Sequence, residues 1–362
     1  MGRVPLRLLA LVLAGAALAV TATAAPAAPT RPLALVASYA PPAKDPAARR
    51  VADRAWTYDS AVMAAGQAAT GRTAAARRLL DQLAGLQHHD GGLDFSYDRR
   101  TGRGDGVERT GAIAWIGLAA VQYAAATGSH RYDGLADGVA RWLLDRRIAV
   151  PGTLGRGLVR GGPDVRWVST EHNLEARALL AAVGHEGGVL GRRARAATAA
   201  LDGAIDRELL VRDGDGRAFR QGLGDDARPL DVQALGALWL RGQGRVGEAR
   251  EVIAGADATM LVSGRARRGT APLVGYRPFA DGWGPRVLWT EGTLQMRMAK
   301  AALGLDTSAL DASIGRMAER AGMLPQADRT VLGGVAGDFR TWPAAAPTAW
   351  RLLSRSGSAL LG

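Results

Sequence analysis

Three carboxylate side chains recur at a fixed interval: Glu171, Asp231 and Glu291 follow one another at steps of 60 residues. Each opens a stretch of apolar, small residues at helical spacing, and each has aromatic or amide neighbours. The three openings read Trp167-Val168-Ser169-Thr170-Glu171-His172-Asn173, Pro229-Leu230-Asp231-Val232-Gln233 and Leu288-Trp289-Thr290-Glu291-Gly292-Thr293. Three more stretches begin comparably, with Trp56-Thr57-Tyr58-Asp59, Glu108-Arg109-Thr110-Gly111 and Thr341-Trp342-Pro343. A pair of carboxyl groups in a poorly solvated place is equipped for proton transfer, one holding its proton and one giving it up. Ser169, Thr170, Asp231 and Thr290 also suit helix N-caps, and an acid in the first turn complements the helix dipole. Capping explains one such residue more readily than a set at matched positions, because a carboxylate led into an enclosed place costs desolvation unless it is paired. Trp56, Trp167, Trp283, Trp289 and Trp342 fall near the same starts, where an aromatic face flanked by polar groups suits the apolar face of a sugar ring. Trp142, Trp239 and Trp350 fall within helical stretches and read as packing.

These openings need elements to position them. Twelve helical segments of two alternating kinds can be drawn. Residues 45–55, 74–87, 132–147, 190–209, 245–256 and 307–320 are amphipathic, with one wet face. Residues 58–69, 110–126, 170–183, 230–240, 290–303 and 344–353 are apolar nearly all round, so protein must surround them. A double ring of helical hairpins meets both demands, and a 60-residue repeat fits stacked supersecondary units. The expected fold is all-α, an (α/α)6 toroid. Turns from inner to outer segments are short, as at Gly71-Arg72, Gly128-Ser129 and Gly242-Gln243-Gly244. Those from outer to inner are long (88–109, 148–169, 210–229, 257–288 and 321–343), so one face carries every long loop and every inner-helix N-terminus. Function usually sits on such a face.

The rest of the chain sets bounds. Arg3 and Arg7 precede an apolar run over 8–20 and Ala22-Thr23-Ala24, so residues 1–24 read as a cleaved secretory signal; the run is too short to span a bilayer. Residues 25–44 are rich in Ala and Pro and read as a tether before a domain over 45–357. The expected location is secreted, in the medium or at the wall, as a monomer without membrane insertion. There is no cysteine, so no disulfide or thiolate chemistry. The net charge of +12 comes almost wholly from scattered arginines. That reads as composition, or as attraction to an anionic polymer such as a wall polysaccharide or to a membrane surface, rather than to nucleic acid, for which no binding motif is present. The expected partner is an oligo- or polysaccharide, anionic or not. No metal or cofactor is expected: His88-His89 lacks zinc spacing, and Asp213-Gly214-Asp215-Gly216 lacks a glutamate at the twelfth position, where Gly224 stands, and so reads as a polar turn.

The alternation, the Trp-Thr-Tyr-Asp start at 56–59, Ser-Thr-Glu-His-Asn at 169–173 and Trp-Thr-Glu-Gly at 289–292 resemble the six-hairpin glycosidase superfamily over essentially the whole mature chain. The resemblance implies a sugar site at the mouth and an acidic catalytic pair, without fixing the pair, and places the chain in no single family. Helix spacing puts carboxylates on adjacent inner helices about 5 Å apart and on alternate ones about 9 Å apart. Retaining glycosidases need about 5–5.5 Å and inverting ones about 6.5–9.5 Å. Glu171 with Glu291 therefore matches inversion, and Glu171 with Asp231 retention. Glu171 is assigned as general acid and Glu291 as base. Asp59, Asp231, Trp56, Tyr58, Arg109, Trp167, His172, Asn173, Gln233, Trp289 and Trp342 are assigned to substrate binding or support. A polysaccharide lyase using Tyr58, Tyr97, His172 and Arg109, and a glycan-binding protein without turnover, remain alternatives. Epimerisation lacks a histidine pair at the mouth. Gln87-His88-His89-Asp90-Gly91 resembles a terpene-cyclase turn but occurs once, with no Asp-x-Asp-Asp motif.

Overall fold

The computed structural model describes residues 32–213, 216–264, 271–280, 284–318, 322–334, 337–358 and 361. Six helices form an inner ring: α2 (Thr57–Ala69), α4 (Thr110–Thr127), α6 (Thr170–Gly184), α8 (Leu230–Gly242), α10 (Thr290–Ala302) and α12 (Ala345–Ser356). Each packs on the next and α12 packs back on α2, so the ring closes. Outside it lie α3 (Thr73–Leu86), α5 (Asp133–Asp145), α7 (Gly188–Ala204, prolonged by a π-helical turn over Ile205–Leu209), α9 (Val246–Met260) and α11 (Ser308–Ala318). The two kinds of helix behave as their sequences dictate. In α3 only Ala76, Leu79, Leu80 and Leu83 are buried, a single stripe at helical spacing. In α4 the residues from Thr110 to Ala120 are buried on every side. Gly128 ends α4 in the left-handed conformation (φ 69°), its N–H donating to the Ala124 carbonyl at 2.8 Å, which turns the chain outward within one residue.

The first outer helix differs from expectation. Residues 45–55 form only a one-turn helix, α1 (Ala48–Val51), followed by strand β1 (Arg54–Trp56). Asp45 turns inward to accept from Trp342 Nε1 (3.1 Å), and Trp56 N–H donates to Ser38 Oγ (2.8 Å). β1 pairs antiparallel with β2 (Ser96–Asp98), so strand pairing takes the residues a second helical turn would have used. The long loops are also more ordered than loops: three carry antiparallel hairpins, β3–β4 (Leu210–Asp213, Gly216–Phe219), β5–β6 (Leu261–Gly264, Leu273–Tyr276) and β7–β8 (Val331–Gly334, Gly337–Phe339). The polar turn expected at 213–216 joins β3 to β4; Gly214 and Asp215 lie outside the described residues.

One hydrogen-bond pattern repeats six times around the mouth. The first residue of each inner helix donates its N–H to a carbonyl of the mouth segment beside the next inner helix. The pairs are Thr57 to Phe95 (2.9 Å), Thr110 to Gly161 (2.9 Å), Thr170 to Gln221 (2.9 Å), Leu230 to Pro278 (2.9 Å), Thr290 to Gln326 (3.0 Å) and Ala345 to Ser38 (2.9 Å). The sixth acceptor comes from residues expected to be a tether. Leu35 and Ser38 are buried, Ala40 N–H donates to Pro343 O (2.9 Å), and Arg99 Nε donates to Leu35 O (2.7 Å). The segment over 32–44 is thus the sixth mouth loop, and the folded body begins before residue 45. Residues 1–31, which include the expected signal, lie outside the described residues.

Candidate active site at the mouth of the ring

Five acidic side chains gather where the inner helices begin. Asp59 (α2), Asp231 (α8) and Glu291 (α10) lie in first turns and are buried; Glu171 opens α6, and Glu175 follows one turn deeper, 1% exposed. Among the described residues no donor reaches the Glu171 carboxyl. Burial, then the charges of Asp231, Glu175 and Glu291, push its pKa well above the usual carboxyl range. Glu171 lines a cleft with Trp167, His172, Gly222, Leu223 and Asp231. Asp231, on the same cleft, is raised by burial only to about 6, because the Val232 N–H donates to its Oδ1 (2.8 Å).

Glu291 has a built surrounding. Tyr58 donates its hydroxyl to Glu291 Oε1 (2.6 Å), and Trp350 Nε1 donates to that hydroxyl (2.8 Å). Burial raises Glu291 to about 8; the Tyr58 hydrogen bond opposes this, while Asp59 and Asp231 add to it. Burial lifts Asp59 to about 7 against a hydrogen bond from Ser38. The Tyr39 ring stands edge-on between Trp56 (5.7 Å) and Trp342 (6.0 Å), and burial with the nearby Asp59 and Glu291 charges raises its hydroxyl pKa.

Glu175 was not among the sequence-derived candidates. Its Oε1 accepts from Trp115 Nε1 (2.5 Å), its Oε2 is buried without a partner, and burial lifts its pKa to about 8. Gly111 leaves the space: a Cβ there would lie 2.4 Å from His172 Cδ2 and 2.7 Å from Glu175 Oε2. The available signal was a lone acid four residues after Glu171, on the same helix face. Tyr39, Trp115 and Trp350 were likewise not assigned to the site.

Other assigned residues divide by environment. Trp167 and Trp56 are half-buried at the mouth, Trp167 packing against the His172 ring at 5.3 Å. Burial and then the Arg109 charge push His172 down to about 3, so it is neutral. Arg109 is held by both oxygens of Asp164 (2.6 and 3.3 Å). Trp289 is core, 4% exposed and edge-on to Phe339, and Trp342 is 6% exposed under the Arg340 guanidinium. Neither offers a sugar a face, because Trp289 packs against Phe339 of β8, and Trp342 against the Tyr39 ring and Arg340. Trp283 lies outside the described residues.

Asn173 and Gln233 are also corrected. Asn173 binds both the N–H (2.7 Å) and the carbonyl (3.0 Å) of Val159, and Gln233 binds those of Phe219 (2.9 and 2.7 Å). Their amides are consumed in pinning mouth loops. Of the expected caps, Ser169 accepts the His172 N–H (3.3 Å), whereas Thr170 gives its hydroxyl to Arg220 O (2.6 Å). Tyr97, needed by the lyase alternative, is buried and accepts the Asp94 N–H (3.1 Å). His88, Asp90 and Glu108 bring ligand atoms within 4.8 Å of one another. Arg146 already faces both carboxylates at 3.1 and 3.7 Å, which answers their charge without a metal.

No protein-family model and no curated protein matches the sequence. Solved structures do. A glycosidase variant in complex with glucose superimposes with a TM-score of 0.62 at 18% identity, covering 87% of this chain and 90% of that one. A family 76 glycoside hydrolase, a mannosidase from Bacteroides thetaiotaomicron, gives 0.57 at 13%, covering 84% and 87%. A bacterial glucoamylase complexed with acarbose gives 0.56 at 14%, covering 84% of this chain and 49% of that one. The likeness is one of architecture: this chain shares its (α/α)6 toroid with these solved structures.

Proposed function

We propose that this chain is a secreted glycoside hydrolase acting on an oligo- or polysaccharide, neutral or anionic, with Glu171 as general acid and Glu291 as general base. The observation that carries the reading is the contrast between two carboxyls at one mouth. Among the described residues Glu171 has no donor, and it has three acidic neighbours, so it keeps its proton; Glu291 accepts from Tyr58, which favours its ionised form. In the reaction Glu171 passes its proton to the glycosidic oxygen as the bond from that oxygen to the anomeric carbon breaks. Glu291 takes a proton from the water that attacks that carbon from the opposite face. The site then exchanges protons with solvent to restore both groups. Trp167 beside the cleft supplies a face for a sugar ring, and Arg109, tied to Asp164, helps keep His172 neutral.

Asp231 carries a second assignment, because it shares the cleft with Glu171 and gives up its proton at about pH 6. As nucleophile it would make the enzyme retaining. Reducing-end release from a panel of neutral and anionic polysaccharides tests the activity, with Glu171→Gln alongside. Proton NMR of the first-formed anomer tests the partner: inversion supports Glu291, retention supports Asp231. No release from any polymer by folded protein would overturn the hydrolase reading.

A further inference from the structure

Beyond the cleft, the loop between α5 and α6 and the C-terminal end of α7 enclose a groove of about 750 Å³. Arg147, Arg156 and Arg207 line it. Arg207 is satisfied by Glu208 Oε1 (2.8 Å) and Gly203 O (3.2 Å). Arg147 is different: it is half-buried, its Nε is buried without a hydrogen-bond partner, and no described carboxylate pairs with it. Burial alone pushes its pKa down. The exposed Arg156 side chain also makes no ion pair or hydrogen bond with a described residue. Glu208, the one carboxylate lining the groove, is engaged by Arg207, so a half-buried Arg147 has no ion-pair partner among the described residues, and an arriving anion would relieve that cost.

The groove adjoins the cleft. A Cβ on Gly155 would lie 2.6 Å from Leu223 Cδ2, and Leu223 lines the cleft with Glu171 and Asp231. The groove floor is kept open at Gly157 (φ 101°), where a Cβ would lie 2.8 Å from the Ala200 carbonyl oxygen. Val150 and Leu154 in the same loop are 64% and 65% exposed, an apolar edge of the kind a sugar C–H face covers. A chain leaving the cleft over Leu223 would place its next units in this groove.

We propose that the groove is a second glycan subsite, which takes an anionic group, a carboxylate or a sulfate, carried on sugar units outside the cleft and bound by Arg147 and Arg156. This rests on the reading that the cleft takes a glycan chain, and it narrows the substrate to an anionic one.

Calorimetric titration of the full chain tests it with three probes: a uronate oligosaccharide of about six units, a neutral oligosaccharide of equal length, and inorganic sulfate. A charge-assisted hydrogen bond predicts about tenfold tighter binding of the uronate chain, and added salt should erase the difference. Arg147→Gln should bring the two oligosaccharides to equal affinity, while hydrolysis of a short neutral aryl glycoside, which fills only the cleft, stays unchanged. Arg147→Lys should keep part of the preference, and Arg156→Gln should lose part; these two serve if the glutamine variant at 147 does not fold by circular dichroism. Equal affinities in the unmodified protein, a preference that survives Arg147→Gln, or sulfate binding without an oligosaccharide preference (an adventitious ion only) would each overturn the inference. A preference that is present while no glycan is cleaved would overturn the hydrolase reading and leave this one standing.

Discussion

Glu171 and Glu291 both open inner helices and both face the ring interior, yet their surroundings differ. The Glu171 side of the mouth is an open cleft in which the carboxyl receives no hydrogen bond from a described residue and meets three other acids. The Glu291 side is wired, with Trp350 donating to Tyr58 and Tyr58 to Glu291, beneath the Tyr39 ring and beside Asp59. Similar helix starts thus yield one carboxyl raised with no hydrogen bond to offset burial, and one in which donors favour the ionised form although burial still lifts it to about 8. The decision is made by what neighbouring helices contribute, since Tyr58 and Trp350 come from α2 and α12.

The sharpest way to break this contrast is at Glu171. Glu171→Gln should cut kcat/KM on an unactivated glycoside by about 10³-fold, and far less on a glycoside whose leaving group needs no proton. Equal losses on both would remove Glu171 from the acid role. Next is Tyr58→Phe, which takes from Glu291 the hydroxyl that donates to its Oε1 and should lower turnover by about 10- to 100-fold. Because that hydrogen bond lowers the Glu291 pKa, losing it should move the rising limb of the kcat/KM profile to higher pH. In the unmodified enzyme that limb should lie near pH 8 if Glu291 is the base and near pH 6 if Asp231 is.

Glu175→Gln should change maximal turnover by only about twofold to fivefold, since it alters a neighbour of the acid and not the acid itself. Ionised Glu175 raises the Glu171 pKa, so the falling limb should move to lower pH. The variant also reads stability. Glu175 is raised in the folded state to about 8, so folded protein holds a proton that the unfolded chain has released between its ordinary carboxyl value and about 8. Stability therefore falls as pH rises through that window, and Glu175→Gln should flatten the fall in Tm. Smallest in turnover is Asn173→Ala. It should leave KM unchanged, yet cost about 2–4 kcal/mol of unfolding free energy, because the Val159 N–H and carbonyl lose their partner. A raised KM at unchanged Tm would return Asn173 to the sugar.

What the sequence made legible follows from periodicity. The inner helices from α2 to α12 begin within one residue of the expected starts, because an apolar stretch with helical spacing and a loop on each side admits few alternatives. The acids at 171, 231 and 291 were legible because two equal steps of 60 residues single them out. Glu175 was not, since one acid within an apolar helix looks like a solvated interruption until Trp115 is seen donating to it. The tryptophans show a different limit. Trp167 faces the cleft while Trp289 packs into the core, and both stand just before an inner helix; side-chain direction depends on the hairpin beside each, which local sequence does not encode. Residues 32–44 read as a tether because their Ala and Pro content carries no period, and their partners, Pro343 and Ala345, lie about 300 positions away.

That last pairing bears on how the chain acquires its shape. Ser38 and Ala345 are 307 positions apart, and Tyr58 reaches Trp350 across 292. Contacts so distant in sequence carry the largest loop-closure entropy and tend to form late. Until α12 docks on α2, the arc of hairpins is an open horseshoe whose acids are wetted and whose Glu291 lacks the Tyr58–Trp350 relay. Closure of the horseshoe and completion of the proposed proton-transfer site are then one event. A partly folded chain would carry every helix and still be inert.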